Sequence, residues 1–299
     1  MPRIHDAFLH SVFFVYPSIQ AARSGKPAGG TGFLVCVKLK QNSEYSQIYA
    51  VTNKHVVEGC GPNVVLRLNS DEGVEYLPTL KGDWVPHPSG TYDIAVLSLD
   101  MPNCNTANRR FIVDEVFLTE SRLRGLDIGP GDDTFMTGRF VGHEGKAENI
   151  VPVRFGNVAA LPNEPIRMGG KDKGANFLVE MRSHSGYSGS PVFVLIDPNR
   201  PRPPMWLAPA LPPYNPERHG PFLLGVDAGH IETQLEINHA TKPGKIGTVS
   251  FITAMSVVVP AWRLSEILYS DDFVQQREKE DKEITENKNK GFVVPESGN

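Results

Sequence analysis

Short apolar runs separated by polar turns recur along most of the chain, the pattern of β-strands rather than of long helices. Phe8–Tyr16, Gly32–Lys40, Ile48–Val57, Asn63–Leu68 and Ile94–Leu99 form one set of expected strands. A second set begins after the turn-rich stretch Asp127-Ile128-Gly129-Pro130-Gly131-Asp132. It comprises Thr134–Phe140, Val151–Val158, Asn176–Glu180, Val192–Ile196, Phe222–Val226 and Thr248–Val259. Pro260 then stands where a first helical turn accepts it. Apolar residues at 261, 264, 267 and 268 follow, predicting a closing amphipathic helix. From Asp271 to Lys290, 12 of 20 residues are charged with mixed signs, which predicts a solvated helix or a flexible tail.

Composition sharpens this picture. At 299 residues, with 28 Gly and 25 Pro, the chain has room for two units rich in turns. The net charge of −4 and a pI near 6.1 leave no electrostatic footprint for nucleic acid or an anionic membrane. No apolar run approaches the roughly 20 residues that span a bilayer. The early stretch Val12–Tyr16 is followed by Pro17 without a small-residue cleavage site, so it is expected as a strand and not a signal peptide. Cys36, Cys60 and Cys104 are odd in number and widely spaced, offering neither a disulfide framework nor a metal pattern. A reducing, cytoplasmic compartment is the expectation. No metal or cofactor is called for.

Three stretches carry chemistry, in the order His, Asp, Ser: Tyr49-Ala-Val-Thr-Asn-Lys-His55, Tyr92-Asp93-Ile-Ala-Val, and Gly186-Tyr187-Ser188-Gly189-Ser190-Pro191. A serine hydroxyl is a poor nucleophile at neutral pH. It needs an imidazole to take its proton and a carboxylate to hold that imidazole in the right tautomer. The glycines at 186 and 189 allow a tight turn that aims amide N–H groups at one spot, where an oxyanion would form. His55 is expected at the end of a core strand, and Asp93 at the opening of another.

These residues resemble the chymotrypsin-like serine peptidases. Thr52-Asn53-Lys54-His55-Val56-Val57, with Gly30-Thr31-Gly32-Phe33-Leu34-Val35 upstream, is most similar to the HtrA (Do-like) branch. The resemblance implies an all-β fold of two six-stranded antiparallel β-barrels with a C-terminal helix. Residues 1–118 would carry His55 and Asp93, residues 119–270 would carry Ser188 and the closing helix, and residues 271–299 would be a charged, flexible tail. It makes His55 the general base, Asp93 the orienting carboxylate, Ser188 the nucleophile, and the amides of Gly186 and Ser188 the oxyanion hole. It also brings Ser183, Asp227, Ala228, Gly229 and Ser256 to the substrate pocket. If Asp227 points into that pocket, a basic substrate residue is favoured by charge pairing. A register slip of one residue removes the argument.

The chain departs from the family in three places. Tyr187 stands where many trypsin-like enzymes have the Asp that receives a freshly cut N-terminal ammonium, so the usual activation switch is missing. Ser190 replaces a glycine, a change the turn should tolerate. About 30 residues follow Leu268, too few for the PDZ module of HtrA-type chains. Nine prolines among the 24 residues from Pro198 to Pro221 force an extended loop. That loop and the tail, with Phe292-Val293-Val294-Pro295, are the candidate docking segments for a protein partner.

The expected activity is that of a serine endopeptidase acting on protein or peptide substrates. Two other classes stay open: a catalytically silent binding module, and an α/β-hydrolase esterase using Ser188 and Asp227 with His230 or His239. The esterase would require Gly at 190 and a helix after the serine.

Overall fold

The computed structural model describes residues 3–25, 28–101, 109–168, 171–181, 186–197, 219–238 and 245–290. Ser183, Cys104, His239, positions 198–218 of the Pro-rich segment and the terminal 291–299 lie outside the described residues. Two strand sets are present, divided as the apolar pattern divides them. The first contains β1 (Val12–Tyr16), β2 (Gly30–Lys38), β3 (Ser46–Thr52), β4 (Asn63–Ser70), β5 (Gly73–Leu80), β6 (Val85–Pro86), β7 (Ala95–Leu99) and β8 (Ile112–Val113). Their order is β5-β4-β1-β2-β3-β7-β6, with β8 parallel to β2. The second contains β9 (Asp133–Thr137), β10 (Val153–Ala160), a separate hairpin of β11 (Pro165–Met168) and β12 (Lys171–Ala175), then β13 (Phe177–Met181), β14 (Pro191–Leu195), β15 (Phe222–Asn238) and β16 (Lys245–Pro260). Without the hairpin, these six strands close into a barrel in the order β10-β13-β16-β15-β14-β9.

The first unit corrects the expectation of two closed barrels: it is an open half-barrel. Its edges, β5 and β6, do not pair. β6 is two residues long and ends in Pro86, which has no N–H to extend a ladder. β5 turns Glu75, Pro78 and Leu80 to solvent. Several boundaries also move, two of them because helix replaces expected strand. The strand expected from Phe8 begins only at Val12, because Asp6–His10 form a helical turn, α1, capped by His5 Nδ1, which accepts from Ala7 N at 3.1 Å. The strand expected through Val57 stops at Thr52, and Lys54–Gly59 form a short helix. In chain order the α-helices that lie within the described residues are α1, α2 (Ile19–Ser24), α3 (Lys54–Gly59), α4 (Glu120–Gly125), α5 (Ala261–Leu268) and α6 (Asp271–Asn289). None of these is long and apolar enough to cross a membrane.

One core joins the two units. Phe33, Tyr49 and Val51 of the half-barrel pack with Val226, Val257 and Val259 of the barrel, and Leu264 and Ile267 of α5 close over them. Each such side chain contributes about 1.5–3 kcal/mol by leaving water. Pro260 caps α5 instead of opening its first turn.

The charged segment after α5 is not a loose tail through residue 289. It forms α6, which lies back on the half-barrel through one face, with Phe273, Arg277 and Asp281 buried. Phe273 meets the Tyr49 ring edge-on at 5.2 Å, and Arg277 Nη1 donates to Tyr49 Oη and Leu268 O, both at 2.7 Å. The buried Asp281 carboxylate accepts from Gln41 N at 2.7 Å, Asn42 N at 3.0 Å and Asn42 Nδ2 at 2.7 Å. Burial pushes this carboxyl up, but the amide donors outweigh it and hold the acid below its ordinary range. A depressed carboxyl stabilises the docked helix above its unfolded pKa, near 3.9, and that stabilisation is lost as pH falls through the folded value. We expect hydrogen exchange across residues 271–289 to accelerate in acid before the barrels open. Asp281→Ala should release the helix at neutral pH, at a cost of about 1–3 kcal/mol.

Candidate active site

β3 brings the chain to the seam between the units and α3 turns it there. The turn places His55 on a helix, where the sequence suggested a strand end. Asn53, fully buried, donates from Nδ2 to Asp93 O at 2.6 Å, which fixes the carboxylate's backbone just before β7. Asp93 then takes two bonds from His55: the backbone N–H on Oδ1 at 3.0 Å and the ring Nδ1 on Oδ2 at 2.5 Å. Burial drives the Asp93 carboxyl up. The hydrogen bonds and charge of His55, with Lys173 beyond, more than offset this and hold it below the usual carboxylate range. Ionised, Asp93 is an acceptor only, so Nδ1 carries the proton and Nε2 is left as a base.

Ser188 sits on a turn locked from both sides. Gly186 and Gly189 have φ of 102° and 89°, and a Cβ at Gly189 would run into Thr31 O and Thr52 Oγ1. The half-barrel reaches across through Thr31. Its N–H donates to Ser188 O at 2.9 Å, and its hydroxyl donates to Gly186 O at 2.6 Å while accepting from Arg139 N at 2.9 Å. Tyr187 is buried in the barrel core, its phenol accepting from Arg154 Nε at 3.0 Å. Ser190 is tolerated because Gly138 opposite it has no Cβ to collide with its hydroxyl. Among the described residues, the amides of Gly186 and Ser188 have no protein acceptor, and Ser188 Oγ makes no hydrogen bond with His55.

His55, Asp93 and Ser188 line one cleft of about 710 Å³. Ala228 and Gly229 line it too. Asp227 and Ser256 do not: both are buried behind the wall. A β-bulge between Asp227 and Gly229 in the β15–β16 ladder re-aims the strand there. The basic-residue preference that depended on Asp227 facing the pocket therefore has no support in its placement. Sequence reasoning also missed part of the wall. The β11–β12 hairpin supplies Arg167, Met168 and Lys173, with Asn176 and His230 nearby. The Gly-Gly pair between Met168 and Lys171 was the available hairpin signal. The hairpin is seated on the Asp93 loop: a Cβ at Gly174 would overlap the Tyr92 ring. Among the described residues, no three His, Cys, Asp or Glu side chains are grouped to hold a metal ion.

A half-barrel and a barrel meeting at a polar cleft, with a serine turn from one facing a histidine–carboxylate pair from the other, define a two-unit β architecture of the hydrolase type. The chain belongs to the trypsin-like peptidase family, whose domain signature matches residues 30–195. Among solved structures it is similar to the MamO protease domain from Magnetospirillum magneticum, at 16% identity and a TM-score of 0.51, covering 89% of this chain and 100% of that one. It is also similar to the HtrA-type protease AlgW, at 13% identity and a TM-score of 0.43, covering 88% and 64%. No protein with a curated description matches the chain in sequence.

The Thr31 contacts can be tested directly. Thr31→Val keeps the shape but leaves Gly186 O and Arg139 N–H without their partner, and should lower the unfolding free energy by about 1–3 kcal/mol in denaturant titration.

Proposed function

We propose that the protein is a serine endopeptidase that cleaves protein or peptide chains through an acyl-enzyme. The observation that carries this reading is the Asp93 carboxylate bonded to His55 Nδ1 in the same cleft as Ser188, beside two amides that have no acceptor among the described residues. Ser188 Oγ attacks the scissile carbonyl as His55 Nε2 takes its proton. The imidazolium so formed is stabilised by Asp93 and protonates the leaving amine. Water then enters and attacks the acyl carbonyl as it gives a proton to His55, and His55 returns that proton to Ser188 Oγ as the acyl–oxygen bond breaks and the acid product leaves. The amides of Gly186 and Ser188 meet the oxyanion at each tetrahedral stage. The Ser188–His55 bond is one that substrate binding would draw in, as such bonds are often long in the empty site.

The cleft also supports a substrate class. Arg167 and Lys173 project from the hairpin into it, while Asp227 is turned away. The reading favours substrates with an acidic residue beside the scissile bond. Cys36 and Cys60 are buried thiols that burial pushes up to about 12 and about 11, which leaves them inert. Cysteine usage supports a reducing, cytoplasmic setting.

The open Ser188–His55 contact favours one rival, the silent binding module. The esterase is not supported, since strand β14 follows the serine where its elbow needs a helix. A fluorophosphonate probe separates the first two. Wild type should label at Ser188, and His55→Ala should label at least about a thousandfold more slowly. An unlabelled wild type would leave the binding module standing. In a peptide library, acidic sequences should be cleaved fastest, and Lys173→Ala should lower kcat/KM for them about five- to tenfold while sparing neutral ones.

A further inference from the structure

A second cavity, of about 620 Å³, opens between α2, the β4–β5 pair and the 142–146 segment, and shares no lining residue with the cleft. Two polar atoms of its lining residues, Tyr16 Oη and Arg67 Nε, are buried without a hydrogen-bond partner among the described residues. Their residues are 0% and 2% exposed. Arg67 is otherwise held only by neutral oxygens. Nη1 donates to Asn149 Oδ1 at 2.7 Å and Glu144 O at 3.4 Å, and Nη2 donates to Gly145 O at 2.8 Å and Lys146 O at 3.3 Å.

A buried cation without a counter-ion is costly, and here no carboxylate among the described residues forms an ion pair with it. The one carboxylate on the cavity wall, Glu144, is bound by Arg139 Nε at 3.2 Å and Nη2 at 2.9 Å. Arg23, stacked over the Tyr76 ring, and Lys146 line the same cavity, and neither forms an ion pair among the described residues. Burial pushes the Tyr16 phenol up, and the nearby Arg139 does not reverse this, so it stays protonated and acts as a donor. Two unsatisfied donors and three cations therefore belong to the lining of a space large enough for a small molecule, and Glu144, the one carboxylate on this wall among the described residues, is already engaged.

We propose that this cavity is a binding site for a small oxyanion, a phosphate or carboxylate group that accepts from Tyr16 Oη and Arg67 Nε and is drawn in by Arg23 and Lys146. The site does not rest on the peptidase reading. Its wall residue Glu144 holds Arg139, whose backbone N–H donates to the Thr31 hydroxyl, which in turn donates to Gly186 O, so the cavity wall is linked to the serine turn through Glu144, Arg139 and Thr31.

The test titrates the full chain with inorganic phosphate and, separately, with acetate, at ionic strength held constant with chloride, and follows calorimetric heat and thermal unfolding. At least one anion should bind saturably at a single site and raise the unfolding temperature. Phosphate alone would assign a phosphate ligand, and acetate alone a carboxylate. Tyr16→Phe keeps the ring under Arg139 and removes only the donor; it should weaken binding about fivefold. The double variant Arg23→Ala, Lys146→Ala touches no packed core and should weaken it about tenfold or more. Absence of saturable binding of either anion, or affinity unchanged in both variants, would overturn the proposal.

Discussion

Thr31 is the residue on which the seam depends. Its amide donates to Ser188 O, its carbonyl accepts from Thr52 Oγ1 at 2.6 Å, and its hydroxyl stands between Arg139 N and Gly186 O. Three of these four bonds tie the half-barrel to the barrel, two of them to its serine turn, and the fourth braces Thr31 against Thr52 of β3. Groups so placed are costly to leave unpaired, so any drift of one unit against the other breaks several bonds together. The position of His55 relative to Ser188 is therefore a consequence of how β2 meets the turn, and not of the two residues attracting each other.

The same region explains how the turn is held with Tyr187 in place of an aspartate. Arg139 is fully buried. It pairs with Glu144, donates to Ala28 O at 2.7 Å and lies 4.3 Å over the Tyr16 ring. Tyr187 anchors the other side through Arg154. The charges that fix the turn are thus internal to the chain, and a new N-terminal ammonium has no carboxylate at position 187 to meet.

Much of this was legible in the sequence where the signal is local. The Gly186–Pro191 run, the apolar stretches of β2, β3, β7, β14 and β16, and the α5 spacing all declare themselves within a few residues. What stayed hidden depends on partners distant in the chain. Closure of the first barrel turns on whether β5 and β6 can pair, and one proline in a two-residue strand prevents it. α6 buries its stripe through Arg277 and Asp281 as well as Phe273, so its docking leaves no apolar periodicity to read. Asp227 shows the finest limit: one bulged residue in β15 decides whether a carboxylate faces the cleft or the interior, and nothing in its immediate sequence fixes the bulge.

That bulge also shapes the electrostatics of the site. With Asp227 turned away, the hairpin brings the cleft's cations, and Lys173 both faces the cleft and helps hold Asp93 ionised. A substrate carboxylate that pairs with Lys173 draws off part of that support. The loss is tolerable because the bonds and charge of His55 rank ahead of Lys173 in holding the acid down. Under the proposed function, the Asp93–His55 pair keeps its protonation pattern while the hairpin engages an acidic chain.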